Sequence, residues 1–231
     1  MFSNVKVVAV VSAYNEEERI GSTVTALLGL DEIERVIVVD DGSTDRSAIN
    51  AAAAGANLVI NGSNLGKGGS LNRVLENLCF DVVLLVDGDL ASHAAEAEKL
   101  LASVLCGKAD LAIAAFPAPA KKGGFGIAQG IARRGVKQLT DLDMRSPISG
   151  QRAMTRAVFD AVSPFRPGFG VEVAMTIDAH MAGFRVIEVE TSMSHRETAR
   201  DLEGFMHRGR QFIDIVRALA RQAVAALRSA S

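Results

Sequence analysis

VVLLVDGDLASH, Val82 to His93, sets a run of apolar residues against two carboxylates, Asp87 and Asp89, with one glycine between them. A short run that is apolar at every position, rather than at alternate ones, is the pattern of a strand covered on both faces. Similar runs recur at Val5 to Val11, Arg35 to Val39, Leu58 to Ile60 and Leu111 to Ala114. Stretches of helical composition, about 10 to 15 residues long, separate them. This alternation predicts an α/β fold with a mixed, mostly parallel central sheet flanked by helices. In such sheets ligands bind beyond the carboxyl ends of the strands.

The loops expected at that edge are SAYNEEE (Ser12 to Glu18), DDGSTD (Asp40 to Asp45), NGSNLGKGG (Asn61 to Gly69) and DGDLASH (Asp87 to His93). Asn15, Ser43 and Ser92 suit helix starts, so each loop alone reads equally well as a turn or a cap. Four polar, turn-rich loops at one sheet edge point instead to a ligand site. Residues i and i+2 of an extended segment face the same side, so Asp87 and Asp89 present their carboxylates to one point. Two anions at one point call for a hard cation, Mg²⁺ or Mn²⁺, whose shell is completed by water and substrate phosphates. Gly88 is expected to leave room for a diphosphate, and Lys67, flanked by glycines, to meet its charge. GSNLGKG is not a nucleotide-triphosphate loop: only three residues separate Gly62 from Gly66, and Gly68 stands where a Ser or Thr would hold Mg²⁺. Nor does GKGGSL have the spacing of a dinucleotide fingerprint, which argues against a nicotinamide enzyme.

Composition narrows the remaining classes. With 231 residues, 48% hydrophobic content and a formal charge of −2, the chain can form one large domain with a tail. No block of like charge suggests nucleic-acid binding. No stretch approaches the ~18 apolar residues of a membrane span, and MFSNVKVVAVVSAYNEEE lacks the pattern of a signal peptide. Cys79 and Cys106 have no metal spacing and fit a reducing compartment, so we expect a cytoplasmic protein.

Together, SAYNEEE, VIVVDDGSTD, NLGKGGSLN and VLLVDGD resemble the nucleotide-binding half of family 2 glycosyltransferases, closely so over about the first 90 residues. The resemblance implies a Rossmann-like GT-A fold and a nucleotide-diphosphate sugar as donor, UDP-sugar favoured over GDP-sugar. It implies that Ala13, Tyr14, Asn15 and Glu16 lie against the nucleotide, that Asp41 binds base or ribose, and that Gly66 and Lys67 line the nucleotide pocket. Asp87, Gly88 and Asp89 match the metal-binding DxD, Asp89 also serving catalysis through the metal. Ala13 stands where a proline is common, which changes loop stiffness more than chemistry. On this basis residues 1–200 form the transferase domain, with a donor half to about 105 and an acceptor half from 106, followed by a tail at 201–231.

The acceptor half is less explicit. PAPAKKGGFGIAQGIARRG, from Pro117, reads equally as a lid or a solvated linker. SPISGQRAMTR, Ser146 to Arg156, resembles the family's acceptor-side segment, and Arg152 is expected to bind an anionic acceptor. Glu172 opens a helix, where the helix dipole alone favours a carboxylate. Its resemblance to the acidic residue of inverting members makes it the expected general base, ahead of Asp178. Some related transferases supply a histidine from the region of His195, which makes it a candidate third metal ligand with Asp87 and Asp89. Arg196, Arg200 and His207 are candidates for phosphate, or else a surface cluster. The helix expected from Leu202 to Arg228 carries Phe205, Phe212, Val216, Leu219, Ala223 and Leu227 on one face and Arg210, Arg217, Arg221 and Arg228 opposite. It fits packing on the domain, or peripheral contact with an anionic inner membrane surface. The acceptor is either a small molecule, phosphorylated ones included, or a lipid phosphate such as polyprenyl phosphate. Two other readings stay open: a protein that binds a sugar nucleotide without turning it over, and a nucleotidyltransferase. The latter would normally carry a Gly-rich loop after the first strand, which SAYNEEE is not.

Overall fold

A computed structural model describes residues 5–117, 125–165 and 170–193. The strands are β1 (Val7–Ala13), β2 (Ile33–Asp40), β3 (Asn57–Ile60), β4 (Val82–Asp87), β5 (Leu111–Ala115), β6 (Arg152–Thr155) and β7 (Val186–Glu190). The helices are α1 (Ile20–Leu28), α2 (Ser47–Ala53), α3 (Gly66–Leu75), α4 (Glu98–Leu105), α5 (Phe125–Thr140), α6 (Arg156–Val162) and α7 (Val171–Met181). One sheet results, in the order β3-β2-β1-β4-β6-β5-β7, and only β6 runs antiparallel to its neighbours β4 and β5. The expected α/β architecture is therefore present, and all five expected strands form within it.

Both sheet faces are covered, which is why the strands are apolar throughout. Val7, Ala9 and Val11 pack with Val82, Leu84 and Val86 against α1 and α4. Val8 and Val10 pack with Val83 and Leu85 against α3, α5, α6 and α7. Asp87 continues the second alternation, so its side chain emerges among the helices of that face. Strand β6 escapes the sequence rhythm because it is four residues long and begins on an arginine. Its antiparallel return, with Leu85 opposite Arg152, carries Ser149 to Gln151 to the same sheet edge as the ends of β1 and β4.

Hydrogen bonds between loops hold that edge. Asn15, at φ 55°, accepts from the Thr44 amide through Oδ1 at 2.9 Å, and its own amide donates to Ser43 Oγ. The Glu16 amide donates to Ser47 Oγ at 2.7 Å, and Glu17 Oε2 accepts from the Arg46 amide. Asp41 does the same for the loop before α3: Oδ1 accepts from Asn61, the Leu65 amide and Ser70, and Oδ2 from the Gly66 amide. Burial opposes the charge on Asp41, but these hydrogen bonds outweigh it and hold the carboxyl below its ordinary value of 3.8.

Two outcomes follow from this packing. Leu84→Ala, in the centre of the sheet, should cost about 2 to 5 kcal/mol in denaturant unfolding, whereas Ile49→Ala, 60% exposed, should stay within about 0.5 kcal/mol. Because the folded-state pKa of Asp41 is depressed, its contribution is present above pH 3.8 and is lost as pH falls below it. Stability measured across that range should fall more steeply for the unaltered protein than for Asp41→Asn.

Candidate active site

Strands β1 and β4 lie side by side in parallel, with Ser12 opposite Asp87 and the Gly88 amide donating to the Ser12 carbonyl at 2.9 Å. Helix α1 fixes the turn beyond them. Buried Thr23 Oγ1 donates to the Gly88 carbonyl and accepts from the Ala91 amide, while Arg19 donates to the Asp89 carbonyl. Above this edge opens a cavity of about 360 Å³. One wall is formed by Ser12, Tyr14, Glu16, Asp87, Gly88 and Asp89, the other by Phe116 and the stretch Ile148 to Gln151. Both aspartates of the DxD thus line one cavity, and Tyr14, half exposed, stands at it.

Behind Asp87 lies a charge cluster drawn from three elements. Gly66, at φ 73°, starts α3 and puts Lys67 in its first turn. Lys67 Nζ lies 2.6 Å from Asp87 Oδ1 and 3.2 Å from Glu172 Oε1, in the first turn of α7. Burial works against the ammonium, but Asp87 and Glu172 more than offset it and raise its pKa above the ordinary lysine value. Asp87 Oδ2 accepts from Gln151 Nε2 at 3.1 Å. Gly150 packs directly on the pair: a Cβ there would run into Lys67 Nζ and Asp87 Oδ2 and sit 3.0 Å from Asp87 Cγ. Ser12 Oγ, Ser149 Oγ and Gln151 Oε1 are buried with no hydrogen-bond partner among the described residues. Each such atom costs about 1 to 3 kcal/mol, which makes the cavity wall a place where polar groups are left unsatisfied by the chain itself.

The expected site residues divide into three groups. Tyr14, Glu16, Asp87, Gly88 and Asp89 line the cavity. Lys67 joins it through Asp87, and Glu172 is paired with Lys67 behind it. Ala13 is buried in the apolar cluster, Asn15 holds the loop at Thr44, and Asp41 with Gly66 forms the anchor below α3. Three of the expected residues have further structural ties. At Gly88, which lines the cavity, a Cβ would meet Ile20 Cδ1 at 3.2 Å and the Ser12 carbonyl at 3.3 Å, so the glycine permits β4 to pack on β1 and α1. Asp41 spends both oxygens on the chain itself rather than facing the cavity. Arg152, 1% exposed, is no acceptor-binding surface residue. It donates to the Ser149 and Pro147 carbonyls and to Thr176 Oγ1, tying the cavity-wall loop to α7, and burial pushes its pKa down to about 10 against the pull of Glu172, Glu188 and Asp87. Asp178, six residues beyond Glu172, lies about 240° round the helix from it. His195, Arg196, Arg200, His207 and the 202–228 segment lie outside the described residues, as do 118–124 of the suggested lid. Ser149, Gly150 and Gln151 line the cavity without an expectation from sequence. Their only sequence signal is the SGQ triplet just before β6.

Among the described residues no group of three or more His, Cys, Asp or Glu side chains is placed to hold an ion. Asp87 and Asp89 share one cavity wall, and the amide bonded to Asp87 carries the unsatisfied Gln151 Oε1. This all-oxygen, incomplete set fits a hard divalent cation that takes its remaining ligands from phosphate and water.

Comparison with known proteins identifies the family and the fold. Glucosyl-3-phosphoglycerate synthase of Mycolicibacterium smegmatis is 34% identical over 197 residues, covering 74% of this chain and 63% of the relative. Glycosyltransferase AglJ of Haloferax volcanii is 30% identical over 193 residues, covering 81% and 63%. The chain therefore spans less than two thirds of the length of these relatives. Among solved structures, the glucosyl-3-phosphoglycerate synthase of Mycobacterium tuberculosis in complex with Mg²⁺ and UDP superimposes with a TM-score of 0.80 at 26% identity, covering 95% of this chain and 80% of that one. The same enzyme with Mn²⁺, UDP and phosphoglyceric acid gives 0.79, also at 26%, covering 95% and 79%. The GT-A architecture is shared. Residues 8–163, more than half of the sequence, match glycosyl transferase family 2, and the chain belongs to that family.

Proposed function

We propose that this protein transfers a sugar from a UDP-sugar, glucose being favoured, to a small phosphorylated acceptor, with Mg²⁺ or Mn²⁺ held at Asp87 and Asp89. The observation that carries the reading is that both aspartates of the DxD line one cavity together with Tyr14 and Ser12. The relatives support the donor and acceptor classes, since one solved neighbour was captured with Mn²⁺, UDP and phosphoglyceric acid. The reading places the reaction in the cytoplasm. Among the described residues no helix is long and apolar enough to cross a membrane.

Each group then has a task. Tyr14 offers its exposed ring to the nucleotide, and Lys67 offers its ammonium to the diphosphate. Asp87 and Asp89, with His195 as a third ligand, would hold the cation, which would supply positive charge against the leaving diphosphate. Asp41 and Asn15 hold the loops in the shape that makes the donor cleft. Glu172 takes the proton from the acceptor hydroxyl as the new glycosidic bond forms and the bond to the diphosphate breaks. That role requires the hydroxyl to come within about 2.6 to 3.2 Å of the carboxylate.

The test pairs donor binding with turnover. UDP with Mn²⁺ at 100 times its Kd should stabilise the fold by about 2.7 kcal/mol, and GDP or NAD should give less. Glu172→Gln should keep UDP affinity and lose about 10² to 10⁴-fold in kcat. Asp89→Asn should lose both metal-dependent UDP binding and transfer. Near-normal transfer by Glu172→Gln would remove it as the base, and UDP binding indifferent to EDTA and to Asp89→Asn would remove the metal.

A further inference from the structure

We propose that Lys67 is a resident counter-cation that competes with the divalent metal for Asp87, so that metal and diphosphate enter the site together rather than separately. The inference rests on the reading of a metal-dependent diphosphate site.

Three observations carry it. Both oxygens of Asp87 already accept from the chain: Oδ1 from Lys67 Nζ at 2.6 Å and Oδ2 from Gln151 Nε2 at 3.1 Å. The ammonium offsets the negative charge that would attract a cation, so a divalent ion at Asp87 competes with it for that charge. The ammonium is also held from its other side by Glu172 at 3.2 Å, and the side chains of Lys67 and Glu172 are only 22% and 12% exposed. Finally, Gly150 closes over the pair so tightly that even one added carbon would collide with Lys67 Nζ and Asp87 Oδ2. An ammonium and a divalent ion on one carboxylate are like charges a few ångströms apart, and they repel strongly where water is scarce.

Lys67 yields its place at low cost only when another anion receives it. A diphosphate entering the adjacent cavity is such an anion: Lys67 turns from Asp87 to the phosphate oxygens and Asp87 becomes available to the metal. Glu172 loses its ammonium partner in the same movement, so its carboxylate is freed only once a donor is present. The consequence is positive coupling between metal and nucleotide, and it is reciprocal. Without Lys67 the metal alone should bind better, although a phosphate-binding lysine would ordinarily be expected only to help the site.

Mn²⁺ binding, read from the free-ion electron paramagnetic resonance signal, tests this with and without saturating UDP. It is to be measured on the full chain and on Lys67→Met and Lys67→Gln, each checked for a cooperative thermal transition. The unaltered protein should bind Mn²⁺ weakly alone and at least about tenfold more tightly with UDP. Lys67→Met and Lys67→Gln should bind Mn²⁺ alone about tenfold more tightly than the unaltered protein, with the UDP enhancement reduced by a similar factor. If both neutral variants bind Mn²⁺ alone no better than the unaltered protein while the Mn²⁺–UDP complex still forms, the competition is refuted and the function stands. If the unaltered protein forms no Mn²⁺–UDP complex, the function and the inference both fall.

Discussion

Helices cover β1 and β4 on both faces, so no position from Val7 to Val11 or from Val82 to Val86 can hold a charge without the desolvation cost of a buried ion. Polar chemistry is therefore confined to the strand ends, where the cover stops and water returns. Parallel pairing brings the ends of β1 and β4 to one level, with Ser12 opposite Asp87. The antiparallel insertion of β6 adds a third chain segment to the same edge, arriving from the opposite direction. One cavity is thus built from segments some 140 residues apart in sequence, Ser12 and Gln151 being its extremes.

Charge at this edge is handled in two different ways. Asp41 is stabilised by neutral donors, amides and hydroxyls, and so becomes a rigid structural post. Asp87 is stabilised by an ammonium that is itself shared with Glu172, an arrangement that a competing ion or phosphate can rearrange. Hydrogen bonds to backbone amides cannot be exchanged without moving the loop, whereas a lysine head can turn on its flexible stem. The distinction separates the part of the site that holds shape from the part that can respond to a ligand.

Arg152 belongs with the first kind. Its guanidinium is enclosed by two carbonyls and a threonine hydroxyl, and it pins the Pro147 to Ser149 backbone against α7. That backbone presents Gly150 and Gln151 to Asp87, so the buried cation acts on the cavity through the loop it holds. Glu188 works from the other side by accepting the Arg145 and Ser146 amides.

The sequence by itself determined the layering, the sheet edge and the DxD pair, because two-sided burial writes continuous apolar runs and leaves carboxylates only where those runs end. It also determined the loops that meet there, since each follows its strand directly. It did not determine which polar residues face the cavity. Asp41 and Arg152 look like ligand-binding residues by type, yet their partners, Leu65 and Gly66 for one and Pro147, Ser149 and Thr176 for the other, are set by how loops fold back in space. Gly88 and Gly150 are indistinguishable as letters, but one faces Ile20 in the core and the other faces the Lys67–Asp87 pair. Only tertiary structure decided those cases, because a hydrogen bond or a contact between residues dozens of positions apart leaves no periodic trace in the chain.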